Sequence, residues 1–384
     1  MKIVRRRMLW IALFLFTAGC SPDEHEISDV ALIMITGIDY DDKKHTYVLT
    51  NYCIQATTKG TDKTDNKEWL ASASGNSLMD AARNLQGRAG KMMIANHDKF
   101  FIIGENAARH SFYEVVDLLT RSREIRMSSY VIVSEGMAAD KLKIRSETGD
   151  LLSNEFLGKT INEVAWGKSV SLKVKDVANY YNDPFRGFVA GRLISSQTKD
   201  SARDVLLMQG GSVFNKGKLV GWLKSDDVLS LHLLTKKKEL DHLEFPFSLP
   251  FMDSQVTVLL QPIKKTIRSS RADGKLQLEI ELHLKGQLVN VERKLPLTDP
   301  QTIHRLETET AAQVKQNLDQ SLAYFQRGLK VDVVGFSDYL RRHEPKEWKT
   351  LKTDWDNRYT SFPIKVNVDV NIFTLGMSDI IGGS

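Results

Sequence analysis

Leu276-Gln277-Leu278-Glu279-Ile280-Glu281-Leu282-His283-Leu284-Lys285 alternates apolar and polar residues at every step. A strand turns successive side chains to opposite faces, so this period of two describes a strand with one buried and one wet face. Ile364, Val366, Val368, Val370 and Ile372 repeat the pattern near the C-terminus. Together they predict an antiparallel sheet covered by helices on one side, an α+β class. The cover is expected between them, because Asp299 to Leu329 supports a long helix whose Leu318, Leu322, Phe325 and Leu329 fall on one stripe. Trp348 and Trp355 flank Leu351 at helical spacing and share a face. Two readings are open for this pair, core burial and a partner-binding aromatic patch, and core burial is preferred.

Upstream, strands are expected over Ile27 to Ile38 and Thr46 to Ala56, joined by the polar stretch Asp39 to His45. Thr57 to Lys67 reads as a polar loop. Ser77 can cap a helix with Leu78, Ala82, Leu85 and Ala89 facing inward, and Gly90 stops it. Ser111-Phe112-Tyr113-Glu114 has the form of a capping box opening a second helix, with Val115, Val116 and Leu119 inward. Phe100 to Ile103 and Tyr130 to Val133 read as short apolar strands, and Leu151 to Phe156 and Val174 to Tyr181 as helices. Gly211 to Phe214 and Leu219 to Leu223 suggest a hairpin, after which Ser225 caps a further helix. The expected division is an N-terminal α+β domain over 29–195, a middle domain with the hairpin over 196–253, and a C-terminal α+β domain over 254–384.

The first residues follow different rules. Lys2, Arg5, Arg6 and Arg7 form a basic segment, Met8 to Phe16 an apolar one, and Ala18-Gly19 a small-residue cleavage site. Cys20 at the cut suggests a lipoprotein, with residues 1–19 a signal peptide, 20–28 a lipidated tether, and Cys20 carrying diacylglycerol and an N-acyl lipid. Two acyl chains hold a protein on a membrane where one would let it exchange. Thr17 stands where a lipobox usually has Leu. Removing the signal lowers the formal net charge from +5 to +1, which leaves no electrostatic case for nucleic acid. Cys53 is then the one thiol left, so no internal disulfide is expected.

No catalytic constellation assembles. Gly210-Gly211-Ser212-Val213-Phe214 lacks the closing Gly of a nucleophile elbow. Gly87 to Met92 ends its Gly-Lys with Met92 where a phosphate loop needs Ser or Thr. Asp39, Asp41 and Asp42 suggest calcium, but Lys43 takes the next ligand position and a solvated turn is preferred. The nine histidines do not pair at metal spacing. The chain is therefore expected to be a non-enzyme without cofactor or metal. Arg121-Ser122-Arg123-Glu124-Ile125-Arg126 is dense in charge. Arg121, Arg123, Glu124 and Arg126 are either an interaction site or an internal network tying a helix end to the next strand, the latter preferred.

Several segments in order resemble the Ger(x)C family, the lipoprotein C subunits of spore nutrient germinant receptors. They are the lipobox, Thr36-Gly37-Ile38-Asp39, Ala81 to Leu85, Lys99-Phe100-Phe101-Ile102-Ile103-Gly104-Glu105 and the Glu124-Ile125-Arg126 motif. Gly211 to Phe214, Leu219 to Leu223, Gly335-Phe336-Ser337-Asp338-Tyr339-Leu340 and Trp348 to Asp356 complete the set, with Ser337 where Gly is common. The resemblance implies an elongated, three-domain α+β protein on the outer face of the inner spore membrane, beside A and B subunits and with no known catalytic residues. A solute-binding lipoprotein of a transporter is the alternative. Its usual parallel βαβ lobes fit the alternating strands less well.

Overall fold

The computed structural model describes residues 30–59, 63–197, 204–235, 243–292, 295–296 and 299–374. Cys20 and the tether lie outside them. Two sheets carry the fold. The larger has nine strands, and its main path runs β3 (Lys63–Gly75), β2 (Thr46–Lys59), β1 (Val30–Asp41), β5 (Phe100–Gly104), β6 (Tyr130–Ser134), β7 (Phe188–Gln197), β8 (Asp204–Asn215), β9 (Lys218–Leu223), with β4 (Met92–Ile94) also on β1. The smaller is β10 (Phe245–Phe251), β11 (Ser254–Ala272), β12 (Lys275–Val291), β13 (Ile364–Thr374).

The larger sheet is covered on both faces, which explains its continuous apolar strands. In β5 all five residues are buried, but they divide: Phe101 and Ile103 join the core on one face, Phe100 and Ile102 the core on the other. The first core is closed by α1 (Leu78–Ala89), α2 (Glu105–His110), α3 (Phe112–Arg121) and α6 (Val174–Tyr181). The second is closed by α4 (Ala138–Leu142) and α5 (Leu152–Ala165). Gly90 ends α1 at φ 61°, the left-handed conformation a helix stop requires. Ser77 caps α1 as expected, through Asp80 N at 3.1 Å. Ser111 stands at the N-terminus of α3 without a side-chain capping bond there.

Three findings differ from the sequence reading. Thr57 to Lys67 is not simply a loop, since β2 extends to Lys59 and β3 begins at Lys63 as its antiparallel edge partner. The hairpin β8–β9 is no separate unit of sheet, because β8 pairs with β7 and continues the larger sheet. Antiparallel pairs are in the majority, yet β1, β5, β6 and β7 are parallel, as are β12 and β13. The alternating strands at Leu276 and Ile364 are thus direct parallel neighbours, Leu278 opposite Ile364 through Gly286 opposite Ile372.

Their crossover is the expected cover. Helix α8 (Pro300–Ala323) is capped by Asp299, whose carboxylate accepts from Gln301 N and Thr302 N. It buries Leu306, Val314, Leu318 and Leu322 on the sheet. A π-helical turn, Tyr324–Leu329, then buries Phe325, and Lys330 leaves it at φ 58°. Short helices α9 (Phe336–His343), α10 (Pro345–Leu351) and α11 (Trp355–Tyr359) complete the layer. One helix joins the two sheets: α7 (Ser225–Leu234) is buried from Val228 to Leu234 except for a partly buried Leu229. It packs in one core with Val189, Val213 and Leu223 of the larger sheet and Val256, Leu282 and Leu318 of the smaller half. Ser321 of α8 donates to Asp227 Oδ1 at 3.0 Å and meets Ser230 Oγ at the same distance, and His232 Nε2 lies 2.8 Å from the Ser169 carbonyl.

Candidate functional site

Three buried carboxylates explain why several singled-out motifs have the residues they do. Asp39, in Thr36 to Asp39, is not in a solvated turn. Its oxygens accept from Ala138 N at 2.7 Å and Ala139 N at 2.9 Å, closing the start of α4. Gly104, in the Lys99 to Glu105 segment, gives it room: a Cβ there would sit 1.9 Å from Asp39 Oδ1. Burial raises the Asp39 pKa against the pull of those two amides. Asp41, by contrast, does make a turn, accepting from Lys43 N and Lys44 N.

Asp332 does for α9 what Asp39 does for α4. Its carboxylate accepts from Gly335 N, Phe336 N and Ser337 N at 2.7–2.9 Å. Gly335, at φ 88°, supplies the left-handed turn this wrap needs. Burial again raises the carboxyl pKa.

Asp98 is the third, and fully enclosed. Burial pushes its pKa up to about 7, against hydrogen bonds from Thr36 and Phe100 N. Thr36 Oγ1 lies 2.5 Å from Asp98 Oδ2 and 3.1 Å from Asn51 Oδ1. One hydroxyl hydrogen cannot serve both acceptors. Ionised, Asp98 accepts from Thr36; once protonated, it can donate to Thr36 and free that hydroxyl to donate to Asn51.

The other candidates fall into two groups. Trp348 and Trp355 are core, 5% and 2% exposed, edge-to-face at 5.2 Å, with Phe185 packed on Trp348 and Tyr359 and Phe362 on Trp355. They form no surface patch. Arg121 grips Asp117 one turn back, through its Nε and Nη2. Arg123, Glu124 and Arg126 stand exposed after α3, in no ion pair among the described residues, and Arg121 pairs only within its own helix, so the preferred network tying the helix end to the next strand is not found among the described residues. Ser212 is wholly buried and donates to the Ala190 carbonyl at 3.1 Å. Cys53 is buried as a small apolar side chain, and burial pushes its thiol up to about 12. His283 lies on the outer face of β12, 3.2 Å from Asp369 of β13.

One grouping was not singled out. Arg186, between α6 and β7, reaches Asp338 on α9 with Nη1 to Oδ2 at 2.9 Å, an ion pair with both side chains under one-fifth exposed. Its guanidinium lies 4.5 Å from the Tyr180 ring centre. Beside this pair opens a cavity of about 480 Å³ where α6, the end of α7, β11 and α9 meet. Asp338 was legible as part of the Gly335 to Leu340 segment. Its partner 152 residues earlier had no sequence signal.

Two mixed sheets joined through a buried helix, with three buried carboxylates engaged by backbone amides and hydroxyls, define an α+β protein built around fixed helix starts. A family model described as "Spore germination protein N-terminal domain" matches residues 23–193, and one described as "Spore germination B3/ GerAC like, C-terminal" matches residues 209–376. The chain belongs to the Ger(x)C family of spore germination proteins. It is 24% identical to the putative spore germination protein YfkR of Bacillus subtilis (strain 168), over 95% of each chain. It is 22% identical to spore germination protein KC of the same organism, over 98% of this chain and 97% of that one. Its fold is similar to the crystal structure of the GerBC protein, with a TM-score of 0.59 at 19% identity over 88% of this chain and 97% of that chain.

Proposed function

We propose that this protein is the lipid-anchored C subunit of a nutrient germinant receptor, a non-enzymatic component required for small nutrients to trigger spore germination. The observation that carries the reading is the family match in two consecutive stretches, which together take in most of the chain. The placement of the motif residues supports a role in assembly. Asp39, Asp98 and Asp332 are engaged in holding local structure, and Arg123, Glu124 and Arg126, exposed and in no ion pair among the described residues, are open to a partner. A and B subunits in the same bilayer are the proposed partners. Cys20, carrying diacylglycerol and an N-acyl chain, is the proposed anchor, on the outer face of the inner spore membrane. Confinement beside membrane partners raises their effective concentration.

Deletion of the gene, in a strain also lacking related receptors, is expected to abolish germination in response to at least one nutrient. Unchanged responses to every nutrient would sink the proposal. Cys20→Ser is expected to leave the fold intact while impairing receptor assembly or germination, read by membrane fractionation and spore optical-density loss. Full function without lipid would show that soluble contacts suffice.

A further inference from the structure

The cavity beside Arg186 has a composition that the family assignment does not explain. Four cationic side chains line it, Arg186, Lys265, Arg268 and Arg342, with Asp338 as the single carboxylate. Asp338 is already committed, to Arg186 through Oδ2 and to Arg341 through Oδ1. Glu344, next to the lining residue His343, is held by the Ser269 hydroxyl. Arg268 and Arg342 are therefore left with no ion pair among the described residues.

The donors are also incompletely used. Arg186 Nε is buried without a hydrogen-bond partner, although its guanidinium is fixed by Asp338 on one side and Tyr180 on another. A close approach holds it there, because a Cβ on Gly335 would lie 3.0 Å from Arg186 Cζ. Arg342 is anchored through Nε to the Asp338 carbonyl at 3.0 Å, and its exposed terminal nitrogens have no hydrogen-bond partner among the described residues. Lys265 donates to the carbonyls of Leu233 and Thr235 at the end of α7. A buried donor left unpaired costs about 1–3 kcal/mol, and planar guanidinium forks match carboxylates and phosphates.

Beside Thr235, Thr266 and His343, the wall includes an apolar and aromatic part: Tyr180, Ile267, Val334, Phe336 and Tyr339. Tyr339 is fixed by donating to the Ile267 carbonyl at 3.0 Å and by stacking on His343. At about 480 Å³ the space suits a small organic molecule rather than a lone ion. It also lies where the two halves of the chain meet, Tyr180 and Arg186 from one, Ile267 and Asp338 from the other.

We infer that this cleft is a binding site for a small organic anion, a carboxylate or phosphate group carried on an apolar or aromatic body, with the charge held by Arg186 and Arg342 and the body against Tyr180, Phe336 and Tyr339. The inference does not rest on the receptor reading, and its test is made on the purified chain.

The test is calorimetric titration of the full-length protein with benzoate, phenyl phosphate and the neutral benzyl alcohol. Saturable binding of one or both anions, at least tenfold tighter than benzyl alcohol, is expected, and which anion wins identifies the headgroup. Arg342→Ala, on an exposed side chain, is expected to weaken that binding at least tenfold. Arg186→Lys, which keeps the charge and removes the fork, should do the same. Arg126→Ala, a charge removed elsewhere, should leave it unchanged. Circular dichroism confirms that each variant is folded, and if Arg186→Lys is not, Arg342→Ala decides. The proposal is overturned if neither anion binds saturably, if benzyl alcohol binds as well, if Arg342→Ala leaves affinity intact, or if Arg126→Ala weakens it equally.

Discussion

Strands β5 and β12 are each buried where they touch a core, but β5 touches two cores and β12 one. In Phe100 to Gly104 every residue is enclosed, while from Leu278 to Leu284 buried residues alternate with partly exposed Glu279, Glu281 and His283. Both strands have a parallel neighbour. Alternation thus reports how many faces are covered and carries no information on strand direction. That is why the sequence reading described the exposure of β12 and β13 correctly and their mutual orientation incorrectly.

The contrast can be broken by substitution along each strand. In β5, Phe101→Ala and Ile102→Ala are both expected to destabilise, by about 3–5 and 2–5 kcal/mol, although they are adjacent and face opposite ways. A tolerated change at either, measured by denaturant unfolding, would mean that one face is open. In β12 the corresponding neighbours should diverge, with Ile280→Ala costing about 2–5 kcal/mol.

Polar groups sharpen the same contrast. Asp98 is buried, and burial raises its carboxyl from the ordinary 3.8 to about 7. A carboxyl with a raised folded pKa favours the fold while protonated. Its contribution is complete below about pH 4 and is lost as pH rises toward 7, by on the order of a few kcal/mol. Stability of the wild type relative to Asp98→Asn should fall across that window and level off above it. A flat difference would show that Asp98 stays ionised in the fold. Gly104→Ala should cost roughly 1–3 kcal/mol by displacing the Asp39 carboxylate from α4, and much of the cost should vanish in an Asp39→Ala background. Additive effects would place the strain elsewhere. On the wet face, His283→Ala removes the contact with Asp369 and should change stability by less than about 1 kcal/mol.

The α+β class, the helix cover over Asp299 to Leu329 and the stop at Gly90 were legible, because each is written in local periodicity or in one residue's backbone freedom. Strand β3 was not. As an edge strand it buries, among its described side chains, only Ala73, with Trp69 and Ala71 partly covered, and Lys63 to Glu68 reads as any polar loop does. The helix starts at Ala138 and Phe336 looked unremarkable because their caps are not local side chains of the usual kind. Asp39 lies 99 residues before Ala138, and Asp332 wraps its helix from beyond the first turn. The cleft was invisible for the same reason, since Arg186 and Asp338 meet only after both sheets have formed.

Helix α7 has almost no solvent side after Asp227, and it is shared by both sheets. Close-packed interiors compress little, so the two sheets are in direct contact through this helix even though a cavity opens beside its end. The two sheets therefore share one buried pivot, and a substitution that shortens a side chain of α7, such as Leu231 or Leu234, is felt by both at once.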